Sequence, residues 1–452
     1  MAQDELERLR KRKAQRQLVR RLVLLFLLCG ALLTLYFVGE YLLQTGTLED
    51  WFESLANPTA SFPVALAGGT PLTLQASNRQ LAVLTDTNLS VYRTGGRQLL
   101  NVQHLLTSPI LVSAGERLLL FDQAGRSLTA YLRESETAKL TTEYAITTAA
   151  IHENGLIAVV TGALQHIGQV SVYDASGQTM IFQWLSAAAH ITDVAFSPDG
   201  NGIAVTCVES DKTSLLTTVY FFRFDQAEPV AVAQLADMLP ISTTYKTDGV
   251  FVIGATYCAM VGQNGSILQL TDYAGSSLLD FSNESAAGAV VVLEDYTHYN
   301  TSHTLIFDAS GVLRAEFQAT AGIRDVHYGS DSTVTLLDSG MLYVLSAEGE
   351  LLFREEVSMQ SVGAVKLEDS LYLLDLDYLR QLDYVRQSPE ALAGSSSETD
   401  SHFMTESVDL PAPARPDSTS ESYESSDTGE ESVERTDDKP EPITQESSLS
   451  FG

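Results

Sequence analysis

Between residues 294 and 303 the chain reads EDYTHYNTSH, its most distinctive polar stretch. Asp295 near His298 pairs a carboxylate with an imidazole, the two groups that general acid–base chemistry uses most often. Tyr296, Tyr299, Asn300 and His303 add aromatic faces and hydrogen-bonding groups, the make-up of a ligand patch. A solvated loop is the plainer reading of the same residues, and no residue is assigned a catalytic role. Patterns for other chemistries are missing. Two thiols after Cys29 and scattered histidines never reach zinc-ligand spacing, and there is no Gly-rich phosphate loop, nucleophile elbow or EF-hand ladder. No metal and no cofactor is expected. Cys207 and Cys258 read as buried free thiols, with a single bridge between them as the alternative.

Such a patch needs elements to hold it, and from about 62 to 385 the sequence offers strands. Short apolar alternations are broken by Gly, Asn and Asp with almost no helical period, which predicts an all-β region. One unit recurs: a strand ending in an aromatic, a tight polar turn, then another strand, as in LSVYRTGGRQLL (89–100), VSVYDASGQTMIFQW (170–184) and TLIFDASGVLRAEF (304–317). Asp-Ala-Ser-Gly at 174–177 and 308–311 is a hairpin turn in which Gly takes a positive φ. The turn centres recur at intervals of about 38 to 50 residues, which suits four-stranded propeller blades better than a sandwich. Seven full units are present. An eighth supplies three strands, SVGAVKLED (361–369), LYLLDLD (371–377) and YLRQLDY (378–384), while FPVALAGG (62–69) is a lone strand at the other end. A β-propeller of eight blades closed by the N-terminal strand is the favoured architecture, because closure removes exposed edges; seven blades is the alternative.

In that architecture EDYTHYNTSH joins the second and third strands of the sixth blade. Enlarged connections of the same class at GALQHIG (162–168) and ESDKTS (209–214) decorate the same face, which marks it as the expected binding face. His152-Glu153, and Arg324-Asp325 with His327, are candidates to line the axial pocket, with a structural role in the inner strands the favoured reading. Trp184 is read as packing between blades.

The 452 residues carry a net charge of −31, unevenly spread. Residues 1–21 hold eight basic and three acidic side chains (+5), 22–387 hold 16 and 39 (−23), and 388–452 hold three and 16 (−13). The acidic excess excludes nucleic acid as a partner. LVLLFLLCGALLTLYFVG (22–39) is uncharged and long enough to cross a bilayer, with apolar character resuming through Leu43. The expected organisation is a basic cytoplasmic segment (1–21), a transmembrane helix (22–43), a juxtamembrane segment (44–61), the propeller (62–387) and a disordered acidic Ser/Thr-rich tail (388–452). Basic residues ahead of the span and acidic ones after it place the N-terminus in the cytoplasm and the propeller and tail outside the cell.

FSPDG (196–200) resembles a turn of WD-repeat and Tol-associated propellers, and VYDASGQTMIFQW resembles repeats of quinone-type propellers. The whole-chain plan goes further: a basic start, one anchor, SFPVAL and PLTL leading into LAVLTDTNLSVY, then VSVYDASG and VAFSPDG. It resembles the membrane-anchored domain of unknown function 5711 family of Gram-positive Clostridia over about residues 10–385. That resemblance implies no activity and no functional residues. The expected function is a membrane-anchored binding or scaffold module of the cell envelope with an envelope protein or glycan as partner. An envelope hydrolase or lyase acting on glycans or peptides, with Asp295 and His298 as acid and base, is the alternative.

Overall fold

The computed structural model describes residues 61–211, 214–294, 301–320 and 322–388. The expected cytoplasmic segment, membrane span and acidic tail lie outside the described residues. Among the described residues no helix is long and apolar enough to cross a membrane. They form eight four-stranded antiparallel sheets. Blades 1 to 7 take consecutive strands over 71–103, 109–141, 146–186, 190–236, 240–272, 277–320 and 325–356. Blade 8 takes three strands from 361–383, and its fourth is the N-terminal strand Val64–Ala65. Val64 lies opposite Leu379 and Ala65 opposite Tyr378, and the Leu66 N–H donates to the Asp377 carbonyl at 3.0 Å. The ring therefore has eight blades and closes as the sequence suggests, although the closing strand is only two residues long.

The apolar core is divided into eight clusters, each between two neighbouring blades. A central strand of a blade is covered on both faces, so its sequence loses the apolar–polar alternation of a half-exposed sheet. The second strand of blade 5, Gly249–Gly254, is buried throughout, as is nearly all of Gly288–Glu294 in blade 6. Trp184, on the outer strand of blade 3, packs with its ring centroid 5.2 Å from both Tyr220 and Phe222 of blade 4. Cys207 and Cys258 are buried free thiols in different clusters. The Asp-Ala-Ser-Gly turns form as their sequence requires: Gly177 and Gly311 take φ of 71° and 72°, and Asp174 and Asp308 accept hydrogen bonds from the turn amides.

Antiparallel order fixes two faces. The innermost strand of each blade starts at the face that carries the blade-to-blade connections and the second-to-third-strand loops, called upper here, and ends at the lower face of tight hairpin turns. Val64–Ala65 occupies a fourth-strand position and so runs upward, which places Ser61 at the lower face. Consistently, a Cβ on Gly96, in a lower turn of blade 1, would lie 3.2 Å from the Ser61 backbone. The third strand of blade 8 descends to Asp383, and Gln387 then donates from its backbone to the Leu352 carbonyl of blade 7 at 2.9 Å. Both ends of the described chain thus leave from the lower face.

The lower ends of the inner strands are tied between blades by buried cations. Lys246 of blade 5 donates to the carbonyls of Asn283, Ser285 and Gly288 in blade 6 at 2.6, 2.5 and 2.9 Å. Burial pushes its ammonium down to about 7, yet the three acceptors match the three donors of the charged form. Lys366 of blade 8 pairs with Asp331 of blade 7 and sits 4.9 Å from the Tyr384 ring centroid. At the closing seam, Val64 packs against the cluster shared by blades 8 and 1. Val64→Asp is expected to lower the unfolding free energy by about 2 kcal/mol, through a carboxylate placed against apolar neighbours, as measured by urea denaturation.

Candidate functional site

The upper mouth of the axial channel is shaped by one repeated irregularity. In six blades the innermost strand holds an extra residue near its upper end: Leu72, Thr147, Thr192, Ile241, Leu279 and Val362. A bulge bends the strand and re-aims the residue that follows. Leu72, Ile241 and Leu279 are exposed there, in blades 1, 5 and 6, alongside Thr147 of blade 3 and Arg324 of blade 7. The residues that follow, including Thr148, Asp193, Ser242 and Asp280, start a second tier below them. Asp325 of blade 7 occupies the same place, after Arg324, whose guanidinium donates to the Met359 carbonyl at 2.5 Å.

The carboxylates of this tier bridge blades. Asp193 accepts from its neighbour Val194 at 2.9 Å and from the Thr243 amide of blade 5 at 2.7 Å, with Thr148 of blade 3 bonded to its other side. Asp325 accepts from the Ala364 amide of blade 8 at 2.8 Å, and Asp280 accepts from Phe281 at 2.8 Å and from Val326 of blade 7. Burial is the main cause that raises all three, Asp193 and Asp325 to about 7 and Asp280 to about 6, and the nearby charge of Glu284 adds to it. His327, two residues after Asp325, is lowered by the same burial. The three carboxyls are thus raised toward neutrality while each also serves as a hydrogen-bond acceptor for the scaffold. Sequence reading placed Asp325 and His327 near the axis but missed Asp193 and Asp280. The shared register of an apolar residue, any residue and then Asp (ITD 191–193, LLD 278–280, IRD 323–325) was the available signal.

Of the sequence-selected patch, Asp295, Tyr296, His298, Tyr299 and Asn300 lie outside the described residues. His303 lies inside the third strand of blade 6, Thr301–Asp308, with its Nδ1 2.8 Å from Glu316 Oε1 on the adjacent strand. It is therefore a strand residue away from the channel tier. His152 and Glu153 form a lower turn of blade 3 instead of lining the channel: His152 packs on Phe196, and the Glu153 carbonyl accepts from Arg117. ESDKTS is an extension of its hairpin, since the strands Gly202–Asp211 and Ser214–Arg223 continue to the pair Asp211 and Ser214. GALQHIG remains a true loop on the upper face.

Exposed apolar side chains are distributed unequally. Leu105 (94% exposed), Leu164 (82%) and Met359 (71%) all sit in upper connections or loops. Asp86, Glu143, Asp237 and Asp377 are exposed on the same face. The lower turns are mostly polar, with Val230 and Val385 the exposed apolar residues there, and arginines among them are paired: Arg79 with Glu368 at 2.9 Å, Arg97 with Glu134 at 3.1 Å and Arg133 with Glu116 at 2.7 Å. The upper face thus offers apolar surface ringed by acid, while the lower face mixes paired arginines with exposed acids such as Asp199, Glu228, Asp248 and Glu348.

The profile of a family of unknown function, DUF5711, matches residues 73–375. No curated protein matches the sequence. Among solved structures, the C-terminal WD40 domain of Sif2 is similar with a TM-score of 0.53 at 10% identity, covering 72% of this chain and 99% of that one. BamB from Moraxella catarrhalis has a TM-score of 0.48 at 11% identity, covering 73% and 98%. The propeller domain of Cps50 (Swd1) from Myceliophteria thermophila has a TM-score of 0.44 at 10% identity, covering 65% and 99%. At such identities the Sif2 likeness supports the propeller fold and nothing finer.

The channel carboxylates set a pH dependence. Their folded values lie above the ordinary 3.8, so the native state holds more protons than the unfolded chain between about pH 4 and 7. Their contribution to stability is fully present below about pH 4 and is lost as pH rises through 6 to 7. His327 and Lys246, both lowered by burial, work in the opposite direction but are two groups against three. Thermal unfolding is expected at a higher temperature at pH 5.5 than at pH 7.5, and Asp193→Asn with Asp325→Asn should flatten that slope in calorimetry. A slope unchanged by both substitutions would contradict the assignment.

Proposed function

The chain belongs to the DUF5711 family, and from that premise we propose that it is a membrane-anchored, extracytoplasmic propeller that serves as a binding or scaffold module of the cell envelope. The observation that carries this reading is the separation of faces. Both ends of the described chain leave from the lower face, where Val385 is exposed beside the exit, while Leu105, Leu164 and Met359 are exposed in the connections of the opposite face. An anchor formed by residues 22–43 tethers the lower face toward the bilayer and leaves the upper face pointing outward. Isolated exposed apolar residues are ordinary, but their occurrence on one face together with Leu72, Ile241 and Leu279 favours a docking surface.

The partner is an envelope protein or glycan met at the upper face. Exposed acids beside the apolar residues suit a partner that presents both basic and apolar groups, because like-charged surfaces are repelled. An envelope hydrolase is the second reading, favoured by Asp325 and His327, which bring a carboxyl raised toward neutrality and an imidazole to one strand of the channel. The backbone bond from Ala364 to Asp325 weighs toward the structural role.

Two measurements test the proposal. Protease shaving of intact cells is expected to remove the propeller from outside; a fully protected propeller would overturn the topology. Crosslinking in cells followed by mass spectrometry should yield reproducible neighbours that fall at least about tenfold in a Leu105→Asp, Leu164→Asp, Met359→Asp chain. Turnover of isolated wall material by the purified chain, abolished by Asp325→Asn or His327→Ala, would instead establish the enzyme.

A further inference from the structure

The outer strands of the eight blades are not equivalent. Those of blades 2, 6 and 7 carry charges, as in Glu136 and Lys139, Arg314 and Glu316, and Arg354 with Glu355 and Glu356. Blade 1 exposes Gln98, Asn101 and Gln103, and blade 8 is closed by the N-terminal strand. Blades 3, 4 and 5 are neighbours and differ from all of these. Their outer strands, Met180–Ser186, Ala231–Ala236 and Ile267–Asp272, have no charged residue before Asp272. They expose Met180, Ile181, Leu185, Val232, Leu268 and Leu270, with one uncharged glutamine on each strand, Gln183, Gln234 and Gln269. Charged residues on an edge are the usual guard against pairing with another chain, and here three consecutive edges lack that guard.

We propose that this wall of blades 3 to 5 is the contact through which two copies of the chain associate side by side. The inference rests on the anchored topology proposed above and extends it. Two copies held in one bilayer must point their lower faces the same way. A twofold axis along the propeller axis meets that condition and brings wall against wall. Contact between upper faces would direct the two chain exits in opposite directions, and it would also set Asp86, Asp237 and Asp377 against their own copies. An isologous contact matches a patch with itself, so an uncharged apolar patch is self-complementary without any matching charge. The wall contact also leaves both upper faces open, so a dimer presents two docking surfaces outward.

The test uses the full chain in detergent micelles, with mass measured by light scattering over a range of concentrations. A dimer is expected, and Ile181→Asp with Leu268→Asp is expected to weaken it about 100-fold or more without moving the thermal transition. In a Cys29→Ser chain, Val232→Cys should crosslink to itself under mild oxidation. A monomer at all concentrations, a dimer that survives the paired substitutions, or no crosslink at Val232 would each overturn the proposal. Labelling of the same Val232→Cys chain on intact cells by a membrane-impermeant thiol reagent, under reducing conditions, reports the topology separately. A labelled monomer would reject the wall contact while leaving the anchored reading in place.

Discussion

Every blade has two apolar faces and nothing but its neighbours to cover them. That constraint organises the molecule. A four-stranded sheet with residues such as Phe251 and Val252 pointing to opposite sides cannot be stable alone; each face is completed by an adjacent blade, and the eight clusters are the eight shared surfaces. Such a ring has no stable open form, because the blades at a break would each expose a full apolar face. The two-residue strand Val64–Ala65 matters far beyond its length for this reason. It joins the two ends of the chain in one sheet and gives blade 8 its fourth strand.

Closure also explains the inner tier. Eight innermost strands converge on the axis, where main-chain amides of one blade meet the next without a sheet partner. The bulges turn the following residue across the gap, and Asp193 and Asp325 accept the amides of Thr243 and Ala364 from the adjoining blades. A carboxylate in that position satisfies donors that would otherwise be lost, at the cost of desolvation, which is why these groups sit near neutrality. At the lower end buried lysines do the complementary work on carbonyls, as Lys246 does for three of them. The scaffold is thus locked at both ends of the channel by polar groups facing between blades.

The propeller was legible because its signals are local and repeated. Hairpin turns such as Asp174 to Gly177 need particular residues, and their spacing counts blades directly. The closing strand was legible from arithmetic, since three strands at one end and one at the other complete a sheet. The channel tier was harder to read because its residues are far apart in sequence: Asp193 and Thr243 meet only once blades 4 and 5 pack together. His303 illustrates the limit of a composition argument. It was grouped with a polar run, but its strand partner Glu316 comes from the following hairpin. The apolar wall of blades 3 to 5 was invisible for the same reason, because Met180, Val232 and Leu268 become neighbours only through the order of blades.

The two faces differ: the lower face lies beside the chain exits, and the upper face carries Leu105, Leu164 and Met359 beside exposed acids, which is the basis of the proposed binding role. The most direct measurement is photo-crosslinking in living cells from a reactive residue placed at Leu105, compared with one at Glu348 in a lower turn of blade 7. Discrete crosslinked neighbours from Leu105 and none shared by Glu348 are the predicted result. The same neighbours from both positions, or neighbours from Glu348 alone, would contradict the assignment of the upper face as the binding face.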